Sequence, residues 1–230
     1  MEHTIIGTTL PALEVHLQPG EKVIADSGEL SWMTDSIGLH TTTAGGGGKG
    51  LFGALKRVAG GGTLFLTEYS ANGAPGAVTF ATKMPGSIIH VQVQPGQNYL
   101  VHKHGFLAGA PGIEVTAGFQ RSLGAGIFGG AGFILQRLGG TAEAWVGLSG
   151  EVVVMDLTPG QTIRAHPGHV GMFEERVSFD ITTIKGVGNA IFGGDGIFLA
   201  ALTGPGRIWL QTLPLPNLAH ALVPYLPTKE

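Results

Sequence analysis

Val91-Gln92-Val93-Gln94-Pro95-Gly96-Gln97 returns 64 residues later as Met155-Asp156-Leu157-Thr158-Pro159-Gly160-Gln161, and an earlier copy stands at Val15-His16-Leu17-Gln18-Pro19-Gly20-Glu21. Each copy alternates apolar and polar residues and runs into Pro-Gly, the pattern of a half-buried strand that ends in a tight turn. Three copies make this a protein of three tandem repeated β modules. Beyond the turn, the second and third copies keep one register. His102 falls on His166, Ile127-Phe128-Gly129-Gly130 on Ile191-Phe192-Gly193-Gly194, Leu135 on Leu199 and Trp145 on Trp209. The first copy diverges. Gly20 to Leu66 spans 46 residues, whereas Gly96 to Leu135 and Gly160 to Leu199 each span 39, so seven extra residues fall around Ala44 to Gly62.

This spacing divides the chain into module one (1–85, with the glycine-rich insertion near 44–62), module two (86–149), module three (150–213) and a tail (214–230). The second strand of each module follows the turn, at Val23-Ile24-Ala25, Tyr99-Leu100-Val101 and Ile163-Arg164-Ala165. Later strands start at Leu64, Phe133 and Ile197, and closing strands run over 77–81, 142–146 and 207–211. Short strands at this spacing, with turn signals between them, predict an all-β fold of sandwich or barrel-like modules. Helix is expected only over Ala54 to Ala59 and in the tail at Leu218 to Leu226, where Pro216 precedes the segment and Pro224 interrupts it.

Composition agrees. Of 230 residues, 40 are glycine and 13 proline, only 13% are charged and 43% are hydrophobic, a balance opposite to that of a disordered chain. With no cysteine, disulfides, thiolate metal sites and a cysteine nucleophile are excluded. The formal net charge of −3 argues against a broad phosphate-binding surface. The N-terminus lacks the basic and apolar segments of a secretory signal, so a cytoplasmic location is expected.

Three features invite a chemical reading. The tract Gly45-Gly46-Gly47-Gly48-Lys49-Gly50 lacks the hydroxyl that a phosphate loop places after its lysine, and reads as a hairpin loop. Leu51-Phe52-Gly53-Ala54-Leu55-Lys56-Arg57 is the best single candidate for a membrane contact, while Phe128 and Phe192 read as packing anchors between modules. His102-Lys103-His104, six residues after Gly96, resembles the start of a cupin metal motif, and His166 and His169 offer two further imidazoles. Ala108 and Gly109 stand where that motif needs a glutamate. His102 and His166 are also equivalent positions of different modules, with Asp26 in the first, and converge on one metal only if the modules surround a common axis. The plainer reading is a turn residue hydrogen-bonded at a strand end. Glu174-Glu175-Arg176 reads as a solvated strand edge or loop.

The Pro-Gly strands, Ile191-Phe192-Gly193-Gly194-Asp195-Gly196 and Leu202-Thr203-Gly204-Pro205-Gly206-Arg207-Ile208-Trp209-Leu210-Gln211 resemble a family of uncharacterised bacterial proteins. That family is related to the mitochondrial "altered inheritance of mitochondria" protein twenty-four. The resemblance covers nearly the whole chain. It implies β modules similar to the subunit of the tryptophan RNA-binding attenuator protein, of short double-stranded β-helix type, and chains that associate as a trimer in a nine-module ring. It carries over no catalytic residue. The expectation is therefore a non-enzymatic, homo-oligomeric ring-forming scaffold or binding protein without a cofactor, peripheral to a membrane surface or bound to a protein partner. The alternative is a cupin-like β-barrel enzyme that binds a metal or small molecule through His102, His104 and His166. A second alternative, an RNA-binding ring, requires repeated basic positions, but Arg207 falls on Glu143.

Overall fold

The computed structural model describes residues 1–43, 65–121, 133–184 and 197–226. The insertion near 44–62, the expected helix at 54–59 and the segments around Phe128 and Phe192 lie outside these residues. The described chain is all-β apart from short helical turns and one C-terminal helix, α1 (Leu215–Leu222), which is followed by a 3-10 turn at Val223–Tyr225. The helix starts three residues before the expected position, with Pro214 as its N-cap and Pro216 in its first turn, where a missing N–H costs nothing.

The Pro-Gly turn explains the repeat physically. Gly20, Gly96 and Gly160 have φ of +87°, +80° and +79°, a conformation that L-residues avoid, and proline before each supplies the fixed φ of a type II turn. Hydrogen bonds close the turns, from Glu21 N to Gln18 O (2.8 Å), Gln97 N to Gln94 O (2.8 Å) and Gln161 N to Thr158 O (3.0 Å). The residue after glycine is Glu or Gln for a reason visible in two copies. Gln18 N donates to Glu21 Oε2 (2.8 Å) and Thr158 N to Gln161 Oε1 (3.0 Å), so the side chain satisfies the backbone N–H of the residue that opens the turn.

Strands β1 (Glu2–Ile6) to β7 (Gly76–Ala81) form the first module, with β2 (Ala12–Leu17), β3 (Lys22–Asp26), β4 (Trp32–Met33), β5 (Ile37–Thr43) and β6 (Phe65–Ala71) between them. The second comprises β8 (Gly86–Val93), β9 (Tyr99–His102), β10 (Phe106–Gly109), β11 (Ile113–Arg121), β12 (Phe133–Gly140) and β13 (Ala142–Ser149). The third comprises β14 (Val152–Leu157), β15 (Thr162–Ala165), β16 (Val170–Glu174), β17 (Ser178–Ile184), β18 (Ile197–Thr203) and β19 (Gly206–Gln211). Strand β1 lies outside the six-strand repeat and pairs antiparallel along β2.

Each module splits its strands between two sheets, and the sheets continue from one module into the next. The orders are β1-β2-β7-β4, β5-β6-β3-β10-β13-β8, β11-β12-β9-β16-β19-β14 and β15-β18-β17. The two six-stranded sheets are made by pairing the second strand of one module with the third strand of the next. At the first junction Ala25 of β3 faces Ala108 of β10, and at the second Val101 of β9 faces Met172 of β16.

The cores are offset from the sequence repeat in the same way. The first, around Leu13, Val15, Val78 and Phe80, takes Ile88, Leu107, Ala108 and Trp145 from module two. The second takes Met172 and Trp209 from module three. The third packs Phe133 and Leu135 of module two against Phe173, Ile181 and Leu202. No module buries its own apolar faces alone. Repeat stability of this type resides in the interfaces as well as in each unit.

One hairpin is tuned by a glycine that nothing larger can replace. Gly140 joins β12 to β13 at φ +92°, and a Cβ there would stand 2.1 Å from Gly112 O. Gly140→Ala combines a disfavoured φ with a backbone clash, and is expected to cost roughly 2–4 kcal/mol in a urea unfolding titration. A loss below roughly 1 kcal/mol would show that the hairpin relaxes freely.

Candidate functional site: a cavity where the modules meet

The turn His102–Phe106 between β9 and β10 lies over the end of β13. Gly105 O accepts from Gly147 N (2.8 Å), and the His102 imidazole reaches Gly147 O through Nε2 (3.1 Å). A carbonyl only accepts, so His102 carries its proton on Nε2 and leaves Nδ1 as an acceptor. Burial pushes the His102 imidazole down to about 4, against the partial support of the bond to Gly147. Its neighbour His104 is also lowered, first by burial and then by Lys103 and Lys83, with Asp26 opposing the shift. Burial raises the Asp26 carboxyl, partly offset by a hydrogen bond from the Ser27 backbone.

His166 and His169 are held differently. His166 Nδ1 accepts from Gly168 N (3.3 Å) and caps the short 3-10 turn Pro167–His169. His169 Nδ1 donates to Gln211 O (2.8 Å). The buried Gln211 side chain stitches this turn to β13, accepting from Ser149 N (3.0 Å) and donating to Gly168 O (3.0 Å). The two rings stand 6.1 Å apart, edge to face. Among the described residues, no three His, Asp or Glu groups are placed to hold a metal ion.

Between these turns lies a cavity of about 440 Å³. All three modules and the tail build it. Module one contributes Glu29, Thr82, Lys83 and Met84, module two the turn at His102–Gly105 with Leu107 and Leu148, and module three Pro167, Gly168, Val170 and Gln211. Leu215 and Pro216 of α1 complete the wall. Lys83 and Glu29 are paired through Nζ and Oε1 at the cavity. Of the histidines singled out in the sequence, His102 and His104 line the cavity, whereas His166 and His169 flank its Pro167–Gly168 wall.

The residues missed by sequence reading come mostly from connections such as Thr82–Met84 and from β13 ends. They share no motif because they belong to different modules and meet only through sheet continuation. Glu174-Glu175-Arg176 is a strand end followed by an exposed turn, as expected, and the turn also holds an ion pair. Glu175 accepts from Arg137 Nε (2.5 Å), from Arg137 Nη2 (3.0 Å) and from Asn98 Nδ2 (2.7 Å), and so clamps module three onto module two. Arg137 holds the Glu175 carboxyl below its ordinary range.

The enclosed His102 makes stability depend on pH. The unfolded chain takes up a proton near the ordinary value of 6.5, whereas the folded imidazole resists it down to about 4. This contribution is therefore complete above 6.5 and is lost as pH falls toward 4, amounting to at most about 3 kcal/mol. The difference in urea midpoint between the native chain and His102→Gln is expected to shrink or reverse from pH 7.5 to pH 4.5. A pH-independent difference would mean that His102 protonates freely in the folded chain.

The fold and its junctions define an all-β protein of three modules that share sheets and cores, with a partly open cavity where the modules meet. The chain belongs to the family described as mitochondrial biogenesis AIM24, whose model matches residues 3–213. An uncharacterised protein of Streptococcus pyogenes serotype M6 is 29% identical over 229 residues, covering 96% of this chain and 88% of the relative. A crystal structure of a Streptococcus pyogenes protein superposes with a TM-score of 0.77 at 24% identity, covering 98% of this chain and 99% of the other. At that identity the likeness extends to the fold. No helix among the described residues is long and apolar enough to cross a membrane.

Proposed function

We propose that this chain is a non-enzymatic subunit of a homo-oligomeric ring, joined head to tail through β15 of one copy and β4 of the next, that serves as a scaffold or binding platform. One observation carries the reading. The second strand of modules one and two pairs with the third strand of the following module, and two members of that set, β15 and β4, lie at sheet edges. Continuing the internal register across copies sets Ala165 opposite Trp32 and Arg164 opposite Met33.

The side chains support the same reading. Across the paired strands, Ala108 faces Trp145 and Met172 faces Trp209, whereas in module one the order is exchanged and Trp32 faces Thr79. Trp145 and Trp209 are buried by neighbouring modules, but Trp32 is 54% exposed and Met33 38%. An indole and a thioether beside an unpaired edge are the features that native chains cover. A self-complementary set of different patches on one chain gives a heterologous contact, and such contacts close into rings when the rotation permits. Three copies would make the nine-module ring that the family resemblance implies.

Multi-angle light scattering tests the proposal on the purified chain. The expected mass is a multiple of the 23.7 kDa chain, with about three copies for the nine-module ring. A monomer at micromolar concentration overturns it.

A further inference from the structure

We infer that the cavity between the modules is a binding site for a small amphipathic carboxylate, a molecule with an apolar body and one anionic head. The inference concerns a single chain and stands whether or not the ring forms.

The wall chemistry sets the body of the ligand. Met84, Leu107, Phe133, Leu148, Val170 and Leu215 give the cavity a mainly apolar lining, and its volume of about 440 Å³ suits a small organic molecule. Pockets of this kind take their specificity from a few polar groups among apolar ones.

The charged groups set the head. Lys83 and Glu29 neutralise one another. Lys103 also lines the cavity, is exposed, and has no carboxylate partner among the described residues. The remaining side chains place one unmatched cation beside an apolar wall, which favours a single negative charge over a neutral or cationic head. Thr82 adds an independent sign. It lines the cavity, and its buried hydroxyl has no hydrogen-bond partner among the described residues, an arrangement that folded chains rarely leave unsatisfied. Gly147 and Gly168 are engaged through their backbone by His102 and Gln211, so the polar framework around the space is held in place before a ligand arrives.

Isothermal titration calorimetry with dodecanoate, 1-dodecanol and dodecylamine, each below its aggregation concentration, tests the assignment on the full chain. Dodecanoate is expected to bind best, the alcohol at least about tenfold more weakly, and the amine not at all. Lys103→Glu should weaken dodecanoate about tenfold and leave the alcohol unchanged. Met84→Trp should fill the space and remove both, with circular dichroism confirming that each variant folds. Repeating the titration on a Trp32→Glu chain separates this result from the state of assembly. Absence of dodecanoate binding, equal affinity for the amine, or an unchanged affinity in Lys103→Glu overturns the inference.

Discussion

Trp32→Glu is expected to reduce the assembly from a multiple of the 23.7 kDa chain to the monomer, with the fold retained. The fold should survive because Trp32 is 54% exposed on a two-residue strand that contributes little to the internal cores. The assembly should not survive. The substitution removes the largest apolar side chain of the β4 edge and places a carboxylate where the next copy would bring its β15 backbone. Truncating a central indole alone typically costs an interface at least about 2 kcal/mol, and a desolvated, unpaired charge adds to the loss.

The head-to-tail geometry gives a sharper expectation. Ala165→Glu spoils the opposite edge and should also yield monomers. Mixing the two variants should then restore one interface, because the Trp32→Glu chain keeps an intact β15 and the Ala165→Glu chain an intact β4. The mixture should contain a species of twice the chain mass and no ring. An isologous interface would give no such complementation, and unaltered mass in Trp32→Glu would remove β4 from the contact.

Trp145→Ala is expected to destabilise the fold by about 3–5 kcal/mol, read from urea unfolding followed by circular dichroism. Trp145 is wholly buried on β13, between β10 and β8, and belongs to a core drawn mainly from module one. His3 meets the indole edge to face at 5.0 Å, and His90 stacks on it at 5.4 Å. His90 in turn bonds Glu143 (3.0 Å), which also receives the N-terminal ammonium at 3.4 Å. Removing the indole therefore opens a cavity at a module junction and loosens β1 above it. Trp145→Phe should behave differently. The indole N–H has no hydrogen-bond partner among the described residues, so phenylalanine keeps much of the apolar contact and discards a group that is costly to bury. A cost of Trp145→Phe within about 1.5 kcal/mol, set against the larger cost of alanine, would place the stabilisation in packing. Equal costs would contradict that assignment.

Local chemistry made the first strand and turn of every module legible. Alternation marks the half-buried strand, Pro-Gly suits the φ values of the turn that ends it, and in two copies the following Glu or Gln satisfies its N–H. The closing strands and the helical tail were legible for the same reason, although α1 begins earlier than the spacing of Leu218, Leu222 and Leu226 suggests, with Pro214 as its N-cap and Pro216 in its first turn. The third strands were not legible. Phe106–Gly109 is buried at every position, so it has no period of two, and Trp32–Met33 is too short to show one. Those strands make the junctions, and the junctions place His102, Thr82 and Leu148 around one space.

The sequence alone determined an all-β chain with a Pro-Gly pattern in three copies, the turn that ends the first strand of each copy and a divergent first copy, because those features depend on neighbouring residues and on a register that the chain itself repeats. Tertiary structure decided how the modules join, through shared sheets and cores. Sheet pairing satisfies the backbone of one module with that of the next, and apolar faces too large to bury within a module are buried across the boundary. The same pairing leaves β4 and β15 as edges and gives two histidines at equivalent repeat positions different structural roles, one beside a cavity and one capping a wall. Those outcomes depend on which backbone lies beside which, a long-range property that spacing along the chain does not record.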